Sequence, residues 1–144
     1  MNQRLSSEIL HATTVALDGR AVILAGRSGS GKSDLALRLL DRGFVLVSDD
    51  QTMVRKLDGR LVASAPPTIK GKLEVRGIGI VEVEQVDDVP VCLYVEVAIE
   101  VERLPEDSRE RLLLGIAVPL VSLDALTASA PAKVAIALDR MGLR

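Results

Sequence analysis

Gly26-Arg27-Ser28-Gly29-Ser30-Gly31-Lys32-Ser33 satisfies the pattern Gly-x-x-x-x-Gly-Lys-Ser in full. Glycines let a backbone curl so that successive N–H groups point inward at phosphate oxygens. In such a cradle Lys32 bridges the β- and γ-phosphates, and the Ser33 hydroxyl is placed to ligate Mg²⁺. A Gly/Ser-rich turn that matches by accident is the plain alternative. Asp49-Asp50 is the next pair able to do chemistry. One carboxylate can contact Mg²⁺, directly or through water, while the other accepts a proton from an attacking hydroxyl. A polar turn or helix cap would use the same residues. Glu74 and Arg76 share one face if their segment is a strand, offering a carboxylate for metal and a guanidinium for phosphoryl charge. A surface ion pair beside a bulge near Gly77 and Gly79 would look identical. His11 is the only histidine, read either as an ordinary polar residue at a strand end or as a group of the site.

These residues need elements to bring them together. Ala21 to Ala25 is a short apolar run suited to a buried strand, and Leu35, Leu37, Leu39 and Leu40 fall in a helical segment ending near Arg42-Gly43. The loop therefore lies between strand and helix, with the positive end of the helix dipole aimed at the same spot. Phe44 to Val47 reads as a second strand, running into Ser48-Asp49-Asp50. Strand, helix and strand make a right-handed crossover that lays the second strand parallel to the first and often beside it. Both carboxyl ends then reach the sheet edge where ligands bind, which predicts that Asp49 and Asp50 lie within a few ångströms of the loop. Asp18-Gly19 is a hairpin signature. It folds a strand near His11 to Leu17 back onto the strand feeding the loop and brings His11 toward the nucleotide.

Further along, Asp58-Gly59 repeats the hairpin signature, and Pro66-Pro67 forces an extended or turning segment. Val91 to Val101 reads as a long strand, Ser108 to Leu114 as a short helix capped by Ser108 and ended by Gly115, and Ile116 to Val121 as a strand. Pro131 to Leu138 reads as a closing helix with Gly142 as its stop.

A chain of 144 residues, 48% apolar and 26% charged, is expected to form one compact domain over 1–144. A net charge of −2, with Phe44 and Tyr94 as the only aromatics, disfavours a nucleic-acid partner. Cys92 is the single cysteine, so neither an intrachain disulfide nor a cysteine-based zinc site is available. Met1 to Leu10 lacks the apolar core of a signal peptide, and no run approaches the roughly 20 apolar residues needed to span a bilayer. The expectation is a cytoplasmic protein with no membrane partner.

His11, the Gly-rich loop, Asp49-Asp50 and Leu-Glu-Val-Arg-Gly-Ile-Gly-Ile, in that order, resemble the catalytic domain of HPr kinase/phosphorylase from about Leu5 to Val83. The resemblance implies an α/β P-loop kinase domain of the HPr kinase/phosphoenolpyruvate carboxykinase type, with a mixed sheet, flanking helices and β-hairpins. It implies an ATP- and Mg²⁺-dependent protein serine kinase acting on HPr, the phosphocarrier of the sugar phosphotransferase system. By the same resemblance His11, Lys32 and Arg103 take active-site positions, Ser33 and Glu74 bind Mg²⁺, and Asp50 is the general base with Asp49 beside it. Leu73 to Glu82, with Arg76, becomes the segment important for catalysis.

The departures also carry expectations. The chain starts almost at the catalytic histidine, like a truncated proteobacterial form lacking the family's N-terminal domain. The family's Pro-Val-Arg-Pro-Gly-Arg element, associated with removing phosphate from serine, has no counterpart after Val118-Pro119. Arg27 stands where the loop usually has an acidic residue, and Asp34 where Glu is usual. Full-length members form hexamers, which leaves a homo-oligomer open here. Two other readings of the same cradle are a small-molecule kinase or hydrolase and a nucleotide-sensing module without chemistry.

Overall fold

The computed structural model describes residues 6–98, 101 and 108–144. Strands β1 (Ser7–Leu10), β2 (Ala12–Leu17) and β3 (Arg20–Ala25) precede helix α1 (Lys32–Leu40). Strands β4 (Val45–Ser48), β5 (Thr52–Leu57) and β6 (Arg60–Ser64) follow, then a 3₁₀ turn at Pro67–Ile69 and the hairpin β7 (Lys72–Val75) and β8 (Gly79–Glu82). The described chain ends with β9 (Val89–Val97), β10 (Arg109–Leu113), β11 (Ile116–Leu123) and α2 (Ala130–Met141).

The main sheet runs in the order β1-β5-β6-β9-β3-β2-β4, and β11 joins β9 while pairing with β10. β3 is parallel to β9, and β9 is parallel to β11. The strands that enter by hairpins are antiparallel. β3 explains why its sequence is apolar without a break. Val22 and Leu24 face a core built with Leu35, Leu39, Leu93, Val134 and Leu138 from the helix side. Ala21 and Ile23 face a second core with Val54, Leu61, Val91 and Val118, where the sheet curls over itself. A strand covered on both faces needs apolar residues at every position.

Two tight turns set the registers. Asp18 and Gly19 have φ of 51° and 73°, and Asp58 and Gly59 have 51° and 77°. Consecutive positive φ values match the right-handed twist of the strands they join.

Three expectations are corrected. β4 is parallel to β3 but not beside it, because β2 arrives first through the Asp18-Gly19 turn and lies between them, antiparallel to both. Arg109–Leu113 is a strand rather than a helix. Leu114 and Gly115, with φ of 51° and 80°, turn it directly onto β11, and cross-strand pairing outweighs the helical propensity of Arg-Glu-Arg-Leu-Leu. Leu73 to Val83 is a hairpin rather than one strand, so β7 ends at Val75 and Arg76 begins the turn. The closing helix is present, with a proline in its first turn and Gly142 at its C-cap.

Candidate active site

The loop connects the end of β3 to α1 and shows why its glycines are needed. A Cβ on Gly26 would sit 3.0 Å from both the Val97 carbonyl oxygen and Ser30 Oγ, so a side chain there would force the loop or β9 to shift by a few tenths of an ångström. Gly29 and Gly31 have φ of 80° and 97°, and Ser30 N donates to the Arg27 carbonyl at 3.0 Å to close the turn. Gly31 is the N-cap of α1 and no side chain caps that helix. Its first N–H groups are thus left for an external acceptor. Ser30 Oγ is buried and has no hydrogen-bond partner among the described residues. Lys32 is buried, and its Nζ donates to the carbonyls of Gly26 at 2.6 Å and Arg27 at 3.3 Å. Its charge is held inside the curl of the loop. An uncapped helix end, an orphaned hydroxyl and an enclosed ammonium are together what a polyphosphate would satisfy.

Asp49 stands opposite at the end of β4. Its Oδ1 accepts from Ser33 Oγ at 2.7 Å and Thr13 Oγ1 at 3.0 Å, and its Oδ2 accepts from Glu74 N at 3.0 Å. Three segments distant in sequence thereby meet at one carboxylate. The inserted β2 does not separate the loop from the acidic pair, since it supplies Thr13 as their bridge. Thr13 Oγ1 also accepts from Asp50 N at 3.1 Å. Motif reading missed this threonine, which bridges the two acids from β2.

Asp50 has φ of 67°, which turns the chain out of the strand, and its Oδ1 lies 2.9 Å from His11 Nε2. Both side chains are largely exposed, 65% for Asp50 and 61% for His11. His11 lies at the bend before β2 rather than within the strand, and its contact is with Asp50.

The donor set fits magnesium. Among the described residues no cluster of three or more His, Cys, Asp or Glu is arranged to hold a metal. Ser33 Oγ and Asp49 Oδ1 are a hydroxyl and a carboxylate side by side, which suits an ion that takes few protein ligands and fills its shell with phosphate and water. Glu74 is drawn to Asp49 by its backbone, while its side chain is exposed. Arg76 is exposed in the hairpin turn and makes no ion pair among the described residues. Arg103 lies outside the described residues. A cavity of about 320 Å³ lined by Asp18, Gly19, Val45 and Glu84 sits at the other end of β2 and belongs to a different region.

The sequence model of the HPr Serine kinase C-terminal domain matches residues 3–138. The chain belongs to that family. The HPr kinase/phosphorylase of Caldanaerobacter subterraneus subsp. tengcongensis is 38% identical over 112 residues, covering 74% of this chain and 37% of that protein. The Clostridium botulinum HPr kinase/phosphorylase is 46% identical over 76 residues, covering 53% of this chain and 25% of its own length. The matched stretch thus spans a quarter to somewhat over a third of these relatives. The structure of the Hpr(Ser) kinase/phosphatase from Coxiella burnetii superposes with a TM-score of 0.81 at 26% identity, covering 92% of this chain and 88% of that one. The fold is accordingly the P-loop kinase domain of HPr kinase, an α/β domain whose described residues form a mixed, curled sheet and two α-helices. No described helix is long and apolar enough to cross a membrane.

Proposed function

We propose that this chain is an ATP- and Mg²⁺-dependent protein kinase that phosphorylates a serine of an HPr-type phosphocarrier. The observation that carries this reading is the division between two adjacent carboxylates. Asp49 is tied to the loop through Ser33 Oγ at 2.7 Å, while Asp50 is exposed and paired with His11. A kinase needs both a fixed oxygen near the phosphates and an accessible base.

In this mechanism the loop amides and Lys32 bind the phosphates and hold them in line with the acceptor. Magnesium, when bound, draws negative charge from the phosphoryl oxygens. Ser33 and Asp49 would hold it, with Glu74 reaching in from β7. Asp50 orients the serine hydroxyl and takes its proton at Oδ1 or Oδ2, and His11 Nε2 keeps that carboxylate pointed at the acceptor. Arg76 and Arg103 would add positive charge toward the transferring group. The reverse reaction should be weak, since Val118-Pro119 lies within β11 and is followed by Leu120-Val121-Ser122, with no counterpart of the family's Pro-Val-Arg-Pro-Gly-Arg element.

The deciding experiment is incubation with labelled ATP, Mg²⁺ and purified HPr, with the label located by mass spectrometry. Label on one HPr serine is the expected result. Label released only as phosphate, or moved to a small molecule, would replace this reading with a hydrolase or a small-molecule kinase; tight nucleotide binding with no turnover would make the chain a sensor.

A further inference from the structure

Leu126 is 74% exposed, yet it is held beside the phosphate loop. A Cβ on Gly31 would lie 3.4 Å from Leu126 Cδ2, which places this leucyl group against the residue that caps α1. The segment between β11 and α2 is pinned on both sides of it. Leu126 N donates to Asp124 Oδ1 at 2.9 Å, and Thr127 Oγ1 donates to the Asp124 carbonyl at 3.1 Å. From α1, Arg38 donates to the carbonyls of Ala125 and Thr127, and its Nε lies 3.0 Å from Asp34 Oδ2. Both neighbours of Leu126 are thus fastened to the helix that begins at the cradle. An isolated exposed leucine needs no explanation, but one whose backbone is fastened next to a phosphate-binding helix end does.

We infer that Leu126 is the apolar support for the nucleoside end of the bound nucleotide, a specificity contact separate from the phosphate cradle. The inference rests on the nucleotide-binding reading above. Phosphates gripped by the amides around Gly31 leave the ribose and base to run out over the adjoining surface. A planar base gains from an apolar wall whose backbone is already fixed, since less freedom is lost on binding than on a mobile loop. The Asp124 turn and the Arg38 clamp hold that backbone. The contact adds affinity for a nucleoside triphosphate and none for a bare polyphosphate.

The test compares ATP with inorganic tripolyphosphate, both with Mg²⁺, by calorimetry on the 144-residue chain and on Leu126→Ala. The expected result is about a tenfold weaker Kd for ATP with tripolyphosphate binding unchanged, and recovery of ATP binding in Leu126→Met. Tripolyphosphate serves as the internal measure of an intact cradle. Equal weakening of both ligands would mean that Leu126 only props Gly31, and overturns the proposal. ATP binding unaffected by Leu126→Ala overturns it as well. A parent chain that binds neither ligand overturns the nucleotide-binding reading, and this inference falls with it.

Discussion

Asp49 and Asp50 are consecutive residues with opposite environments. Asp49 is 7% exposed and accepts from Ser33, Thr13 and the Glu74 backbone, which occupies the greater part of its acceptor capacity. Asp50 has left the strand through a left-handed backbone conformation and faces solvent with His11 as its partner. A strand alternates its side chains between two faces, so two neighbouring acids at a strand end cannot reach the same place without such a turn. The chain uses that restriction to separate two tasks. One carboxylate joins sheet, loop and hairpin, and the other is left accessible for proton transfer. Thr13 fixes their relative placement, donating a hydrogen bond to the carboxylate of the first and accepting one from the backbone N–H of the second.

The comparison is broken most directly by removing each acid's charge in turn. Asp50→Asn should lower the phosphoryl-transfer rate about 10²-fold or more, the usual loss when a general base is removed, with Tm within about 1 °C of the parent. Steady-state kinetics together with a thermal melt measures both. An unchanged rate would remove Asp50 from proton transfer. Asp49→Asn should lower stability in addition to weakening the magnesium site that Asp49 would form with Ser33. An amide nitrogen placed toward Glu74 N sets donor against donor, and leaving a buried donor unpaired costs about 1–3 kcal/mol. The melt should fall by roughly 2–12 °C for a domain of this size. If instead Asp49→Asn melts like the parent and Asp50→Asn melts lower, the two roles are exchanged.

Much of this arrangement was legible in the residues because it depends on local signals. The loop, the helix after it and both Asp-Gly hairpins follow from glycine placement and apolar periodicity, and each appears where its residues predict. The convergence of Ser33 and Asp49 follows from crossover handedness, which holds whether or not another strand lies between. What could not be read was pairing order. The Asp18-Gly19 turn pairs β2 with β3, but nothing local states that β4 then takes the far edge of β2, so Thr13 was invisible as a bridge. Arg109 to Leu113 failed for a related reason. Its residues favour a helix in isolation, and only β11 alongside supplies the hydrogen bonds that make it a strand. Leu73 to Val83 misled because Gly77, with φ of 86°, reads as a bulge or as a turn with equal ease.

A third acid extends the contrast between support and chemistry. Asp87 accepts from Gln85 Nε2 at 2.7 Å and Ala65 N at 2.9 Å, and its Oδ2 lies 2.6 Å from Lys70 Nζ. The same Gln85 nitrogen donates to the Val47 carbonyl at 3.0 Å, just ahead of Ser48 and Asp49 on β4. Partial burial works against the charged form of Asp87. The hydrogen bonds from Lys70, Ala65 and Gln85 outweigh it and hold the carboxyl below its ordinary value of 3.8. Asp88 is held low as well, by hydrogen bonds from Ser64 and Arg55. A carboxyl whose folded pKa lies below its unfolded one stabilises the fold at pH values above the unfolded pKa. That contribution disappears as pH falls through the folded value. The melt should thus be level from about pH 7 to 5 and decline below about pH 4. Asp87→Asn should flatten part of that decline, Asp88 retaining the rest, and leave the phosphoryl-transfer rate at pH 7 within about twofold, because Asp87 touches β4 only through Gln85. A rate loss in Asp87→Asn comparable to that of Asp50→Asn would show that the acidic end of β4 is not held independently of its far side, and the separation between the two adjacent carboxylates would have to be redrawn around the whole strand.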